Sequence, residues 1–357
     1  MEKNKLNLAV IGTGFGLDTH VPAINQSEYA NLYTIFSRDE KKNNFLNKKF
    51  KTQKKFKNYN LLLADEKIDL ILISLPPELH FSFSKRAIEK GKNILCEKPF
   101  TLNAEEALSL CKLAKKNKVK GFVGYQMRFQ PTRMAIKNFL SGNDFGNVIE
   151  TNLRYDFASR IQSKPAWNWW SASSKGGGVL NAMGSHQIDL LRWWLGEPSN
   201  VLGTLKNHND KLIDVSGKSR KVDADEIFSA TFEYDDGSIS NLKVSSLALG
   251  WKTSHAEIYG DKASLFLNGE QNLEFFRKTT ARHDVSKEDE NLTLPWVSGS
   301  IWRAAFLSQL DSICMNILFN FETHAADLTD GYRVHEIIKG IRKSSNSGNR
   351  QSILFKV

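Results

Sequence analysis

Up to about residue 123 the chain alternates short β-rich apolar runs with stretches of helical spacing, and this alternation constrains its fold more than any other feature. Leu6 to Ile11 runs into a glycine-rich turn and reads as a buried strand. A helix through Val21 to Gln26 precedes a second strand at Leu32 to Phe36. Asp69 to Leu75 (DLILISL) is almost continuous in β-formers, the pattern of a parallel strand covered on both faces. Phe81, Ser84, Ala87 and Ile88 fall at helical spacing up to Gly91. Asn93 to Cys96 is the next strand, Ala107, Leu110, Cys111 and Ala114 the next helix face, and Lys120 to Val123 a further strand. Residues 1–123 are therefore expected to form an α/β domain with a doubly wound parallel sheet.

Beyond residue 123 the pattern changes. Leu153, Tyr155 and Phe157 alternate with Asn152, Arg154 and Asp156, and Phe228, Ala230, Phe232 and Tyr234 with Ser229, Thr231 and Glu233. Asp236-Gly237 is a hairpin turn into Ser238 to Leu247, and Gly260-Asp261 separates two more runs. Lys206 to Arg220 is polar and reads as a surface loop. Two helical stripes close the chain, one through Trp302, Phe306, Leu310, Ile313 and Ile317, the other through Val334, Ile337, Ile338 and Ile341. Residues 124–357 are expected to form an α+β domain on a large, mainly antiparallel sheet.

Composition narrows the classes. No run approaches the ~18 apolar residues of a membrane span, and the first apolar stretch is too short for a signal peptide, so a cytoplasmic protein without membrane partners is expected. Three cysteines without a CxxC fit a reducing compartment and argue against a disulfide framework or a zinc ribbon; no metal site is expected. The net charge is +10, and eight lysines fall between Lys41 and Lys57. Phe45, Phe50 and Phe56 there follow helix-like spacing, so a solvated lysine-rich helix is favoured over a nucleic-acid surface.

Gly12-Thr13-Gly14-Phe15-Gly16-Leu17 joins the first strand to a helix, where a pyrophosphate can sit against a positive helix start. The third glycine of GxGxxG is replaced by Leu17. The second strand then ends Phe36-Ser37-Arg38, with Lys41 and Lys42 behind it. A hydroxyl and a guanidinium suit a 2′-phosphate, so NADP(H) is preferred and NAD(H) remains possible. Asp39 is the rival: shifted by two residues, it would serve an NAD ribose.

Glu97-Lys98-Pro99 follows a parallel strand directly, which puts Lys98 at the cofactor crevice. Its ammonium would stabilise a developing alkoxide, with Glu97 orienting it. Farther on, Gly176-Gly177-Gly178 opens a helical stretch containing Ala182 and His186. The glycines suggest a close approach to a ligand. Trp167, Trp169 and Trp170 just before them are material for a sugar-sized pocket, or for a core.

These pieces, in order, resemble the Gfo/Idh/MocA oxidoreductases, the family of glucose-fructose oxidoreductase and inositol dehydrogenase. The matching segments are IGTGFG at 11–16, DLILISLPPELH at 69–80, AIEKGKNILCEKP at 87–99, GYQMRFQP at 124–131, GGGVLNAMGSHQIDLLRWWLG at 176–196 and DGYRVHEII at 330–338. The resemblance implies a Rossmann domain and a C-terminal domain with an open sheet, through which subunits commonly form a dimer or tetramer. It implies hydride transfer between NAD(P) and a hydroxyl or carbonyl of a sugar, cyclitol or nucleotide-sugar. Lys98 would sit beside nicotinamide and substrate, and His186 would give or take the proton. Ser74, Pro76, His80, Glu97 and Gln126 are expected at the cofactor; Tyr125, Arg128, Trp167 and Trp170 are expected at the substrate, with Arg160 also lining the pocket. Many members carry an aspartate where this chain has Ala182, so His186 would act with Lys98 alone or with Tyr125. The rival class is a non-catalytic nucleotide sensor of the same fold. Retention of both Lys98 and His186 favours the enzyme.

Overall fold

The computed structural model describes residues 4–162, 165–250, 253–277, 283–284 and 301–357. They group into two compact units, one within residues 1–130 and 294–332, the other within 131–293 and 333–357. The division is not a single cut in the chain, because the segment 294–332 groups with the N-terminal sheet.

The first unit holds five strands: β1 (Leu6–Ile11), β2 (Ala30–Phe36), β3 (Leu70–Ile73), β4 (Asn93–Cys96) and β5 (Gly121–Val123). All neighbours are parallel, in the order β2-β1-β3-β4-β5. Every side chain of β3 is buried, as its unbroken apolar run requires. One face of the sheet, with Leu8, Val10, Leu70, Leu72 and Leu95, packs with Val21 and Ile24 of the helix Val21–Gln26 and with Phe306, Leu310 and Ile313 of the helix Ile301–Phe319. Burial of each such side chain contributes ~1.5–3 kcal/mol. The helix Pro77–Glu89 packs against β3, β4 and the helix Ala104–Asn117.

The lysine-rich segment is helical only from Glu40 to Lys49. Its lysines face outward while Asn43 and Asn47 are buried, Asn47 giving Nδ2 to Ile35 O at 2.7 Å and accepting the Ile35 amide at 3.2 Å.

The second unit carries β6 (Val148–Asp156), β7 (Asn200–Lys206), β8 (Lys211–Ile213), β9 (Ser219–Lys221), β10 (Ile227–Glu233), β11 (Ile239–Ser245), β12 (Thr253–Gly260), β13 (Ala263–Asn268), β14 (Asn272–Arg277), β15 (His283–Asp284) and β16 (Gln351–Ser352). Nine of these form one sheet, β15-β14-β13-β12-β6-β11-β10-β7-β16. Every pairing is antiparallel except β6 with β11. Phe228, Ala230 and Phe232 face inward, as their alternation requires. Gly184 lets its helical segment lie on Phe228, whose ring a Cβ would meet at 2.5 Å, and Gly203 does the same for β7 against Ile341. The opposite face is mixed: Leu202 and Ile239 are exposed on it, Tyr259, Phe266 and Phe276 meet edge-on, and a hollow of about 400 Å³ is bordered by Asn152, Arg154, Asn241, Lys243, His255 and Glu257.

The segment expected to be a loop, Lys206 to Arg220, instead contains the ribbon β8–β9. Asp214 holds its turn, with Oδ1 accepting the amides of Ser216 and Lys218 at 2.9 and 3.0 Å and Oδ2 accepting Arg220 Nε at 2.9 Å. Among the described residues, no helix is long and apolar enough to cross a membrane, and no group of three or more His, Cys, Asp or Glu is placed to hold a metal.

Candidate active site

The glycine turn after β1 does two different jobs. Gly12 has φ +117°, and a Cβ there would lie 2.0 Å from Ser74 O, so this glycine is required by the chain's own approach to the end of β3. Gly16 packs against Val10 and Ser74, where a Cβ would come to 3.1 and 3.4 Å. It thus takes over the close helix–strand contact usually left to the third glycine of the motif. That explains Leu17, which packs partly buried against the core and gives its amide to Gly14 O at 2.9 Å. At Gly14 a Cβ would meet nothing within 4 Å. Open ground at this glycine, between Thr13 and the half-exposed Phe15, is where backbone and ligand can meet closely.

Ser37 and Arg38 follow directly on β2. Asp39 is the N-cap of the next helix, its Oδ1 accepting the Lys42 amide at 2.8 Å, while Ser37 Oγ accepts the Asp39 amide at 3.3 Å.

Lys98 lies just past the carboxyl end of β4, and its bond to Pro99 is cis. Burial holds its ammonium below the ordinary lysine value, against the opposing pull of Glu97. Glu97 is itself buried, with Oε2 accepting the Lys98 amide at 3.3 Å and Oε1 lying 2.9 Å from His20 Nε2. His80 is fully buried, with Nδ1 2.8 Å from Pro99 O and Nε2 2.7 Å from Leu75 O. Pro76 is exposed at the start of that helix. Tyr125 and Gln126 are buried beyond β5, and Arg128 reaches His324 O at 3.2 Å and the Asp330 carboxylate at 3.3 Å. The structure thus gathers the glycine turn, Ser74, Glu97 and Lys98 at the carboxyl ends of adjacent parallel strands, the usual ligand side of such a sheet.

In the second unit, His186 is buried in the helix Ser185–Leu195, one turn after buried Ala182. Two of the three glycines before it, Gly177 and Gly178, make room for other parts of the protein. A Cβ at Gly177 would strike Trp169 O and Trp170 O at 2.5 Å, and one at Gly178, where φ is +98°, would strike Asp225 Oδ1 at 2.4 Å. Asp225 anchors the start of this segment: Oδ2 accepts the Leu180 amide at 2.7 Å and its carbonyl accepts the Val179 amide at 2.8 Å. Burial pushes its carboxyl above the usual range, with Arg342 at 3.6 Å opposing. Trp170 stands edge-on to Trp169 and Phe157, whereas Trp167 is tied to the β8–β9 ribbon through Ile213 O and Lys221 O. Arg160 is buried and gives Nη2 to Ser171 Oγ at 2.8 Å, with Glu226 at 3.6 Å. Sequence reading missed His20 and Asp225. Neither lies in a spaced motif, and their partners are 77 and 45 residues away.

A parallel sheet with a glycine turn and an acid–lysine–proline turn at its ligand side, in a chain whose second unit is built on a large, mostly antiparallel sheet, is the architecture of a two-domain protein with a dinucleotide-binding first unit. Residues 6–125 match the family described as "Oxidoreductase family, NAD-binding Rossmann fold", and residues 134–266 match the "GFO/IDH/MocA C-terminal domain". An uncharacterised oxidoreductase of Synechocystis sp. is 31% identical over 81% of this chain and 79% of its own. D-xylose 1-dehydrogenase (NADP(+)) 2 of Haloferax volcanii is 27% identical over 66% of this chain and 68% of its own. The solved structure of levoglucosan dehydrogenase in complex with NADH and L-sorbose has the same fold, with a TM-score of 0.89 over 98% of this chain and 99% of that one, at 19% identity. The chain belongs to the Gfo/Idh/MocA family and is an NAD(P)-binding oxidoreductase.

Proposed function

We propose that this oxidoreductase acts on a hydroxyl-bearing carbon of a sugar-sized compound, or on the corresponding carbonyl, with NADP(H) as its preferred dinucleotide. The observation that carries the reading is Lys98 at the carboxyl end of β4, on the same side of the sheet as the glycine turn after β1. The residues present fit the dinucleotide: the open ground at Gly14 suits a pyrophosphate. Ser37 and Arg38 suit a 2′-phosphate better than a bare ribose, and Asp39 is engaged in its helix cap. The NADP(+)-dependent xylose dehydrogenase among the relatives supports both the dinucleotide and the sugar class.

When bound, NADP(H) supplies or accepts the hydride. Lys98 holds its ammonium toward the substrate oxygen and stabilises the charge that develops there. Burial of Lys98 weakens its hold on the proton, and the neighbouring Glu97 opposes that effect. His186 takes or returns the hydroxyl proton, a role its side chain suits at neutral pH. Ala182 leaves that histidine without the aspartate common in the family, and this favours the second reading, a nucleotide sensor that binds and does not turn over. The open face of the large sheet, with exposed Leu202 and Ile239 and the rings of Tyr259, Phe266 and Phe276, is the proposed self-association surface.

The experiment is a panel of polyols, aldoses, cyclitols and nucleotide-sugars assayed with NADP and NAD, in wild type and Lys98→Met. Turnover that falls ~100-fold or more in Lys98→Met, with NADPH affinity kept within a few-fold, supports the enzyme. Undiminished turnover in that variant overturns the role of Lys98. NADPH binding without turnover of any substrate in wild type supports the sensor.

A further inference from the structure

We propose that His20 is a positioning residue for Lys98: by holding Glu97 Oε1 it withholds that carboxylate from the lysine ammonium. This rests on the reading of Lys98 as the reacting-centre amine.

The two oxygens of Glu97 have different partners. Oε2 accepts the backbone amide of Lys98, and Oε1 lies 2.9 Å from His20 Nε2. A carboxylate only accepts, so Nε2 of His20 carries the proton of this bond. The carboxylate is wedged as well, since a Cβ at Gly124 would come within 3.0 Å of Cδ and both oxygens. Nor can the imidazole readily turn away. It is fully buried, stacked on Phe306 at 4.3 Å with 8° between planes, and met edge-on by Phe15 at 5.5 Å. Among the described residues its buried Nδ1 has no hydrogen-bond partner, and the ring's polar anchoring runs through Nε2.

Glu97 and Lys98 are adjacent in the chain, and the carboxylate favours the charged amine while burial disfavours it. The His20 hydrogen bond decides how much of the carboxylate's negative charge is left for the lysine. Remove the donor and more of the Glu97 charge acts on the adjacent lysine, tightening that lysine's hold on its proton. His20 also ends the helical turn Gly16–His20 that begins at the glycine motif. The segment expected to meet a pyrophosphate therefore also sets the state of the amine at the end of β4.

The test reads Lys98 directly, in the full chain without added dinucleotide. Reductive methylation with formaldehyde and cyanoborohydride is timed at pH 7, and the Lys98 peptide is followed by mass spectrometry. His20→Phe, which keeps the ring and removes the donor, is expected to slow labelling of Lys98 about ten-fold, the equivalent of one pKa unit. His20→Met is a second donor-free variant should the first fail to fold. His20→Gln, whose amide can donate from a similar reach, should restore labelling to within about two-fold. In a Glu97→Gln background the His20→Phe change should have no further effect, because the carboxylate it controls is gone. Wild-type labelling rates in both donor-free variants overturn the proposal, as does an equal slowing in the Glu97→Gln background. Full turnover in Lys98→Met would instead overturn the reading of Lys98 while leaving the labelling result intact, so the two failures are distinguishable.

Discussion

Asp39 Oδ1 accepts the Lys42 amide at 2.8 Å, closing the N-terminus of the helix that follows β2. The carboxylate nearest the expected ribose site thus already has a structural use. Asp39→Ala should cost about 1 kcal/mol through the lost cap, read as a lower urea midpoint. The ratio of KM values for NADP and NAD should stay within two-fold of wild type. A shift of that ratio toward NADP would return the ribose role to Asp39.

Arg38 carries the opposite expectation. It is exposed immediately beyond the end of β2, where a guanidinium can pair with a 2′-phosphate and has nothing comparable to gain from a ribose hydroxyl. Arg38→Ala should raise KM for NADP about ten-fold and leave KM for NAD nearly unchanged. Steady-state kinetics with both dinucleotides decide it, and equal effects on the two would refute the assignment.

His80 joins the loop before its own helix to the Lys98–Pro99 turn, with a ring nitrogen on each side against Leu75 O and Pro99 O. Both carbonyls favour a charged ring, yet burial is the larger effect and lowers its pKa below the ordinary 6.5. The unfolded chain therefore binds the proton more readily, and stability should fall as pH drops through 6.5 toward the folded-state value. Urea unfolding of wild type and His80→Gln between pH 5 and 7 is the measurement. The wild-type curve should be the steeper of the two; a wild-type curve shallower than that of His80→Gln would mean that the ring is held charged.

How much of this was legible in the sequence depended on burial and on distance along the chain. Strands β1, β3 and β4 were legible because a strand covered on both faces is apolar almost throughout. The ribbon β8–β9 was not, since its side chains are mostly exposed and no face has to be apolar. The stripe of Phe306, Leu310 and Ile313 announces a helix, but an apolar stripe does not say which sheet it will cover. At the site, the glycine turn and Glu97-Lys98-Pro99 could be read because their chemistry lies in consecutive residues. Gly177 and Gly178 were visible as glycines, whereas one reason for them was hidden: they make room for Trp169 O, Trp170 O and Asp225.

The cysteines give a separate check on packing. Cys96 and Cys314 are fully buried, and Cys111 is partly buried with Sγ 3.0 Å from Leu328 O. Burial pushes the Cys111 thiol up to about 12 and the other two higher still. Thiolate is the reactive form, so Ellman's reagent at pH 8 should find almost no reactive thiol in the native protein and three after guanidinium unfolding. Rapid native reaction of one equivalent would show that the packing around Cys111 opens readily.

Gly178 and Asp225 should prove coupled. An alanine at 178 must adopt φ near +98° and place its Cβ 2.4 Å from Asp225 Oδ1, so it strains the backbone and dislodges the carboxylate that accepts the Leu180 amide. The backbone strain is worth about 1–2 kcal/mol, and the lost amide acceptor about 1 kcal/mol more. Gly178→Ala should therefore cost about 2–3 kcal/mol in wild type, and only the backbone part once Asp225→Ala has removed the carboxylate. Urea unfolding of the four proteins in the double-mutant cycle measures the difference. Strict additivity would mean that Asp225 moves aside freely, and that the helix carrying His186 does not depend on it for its start.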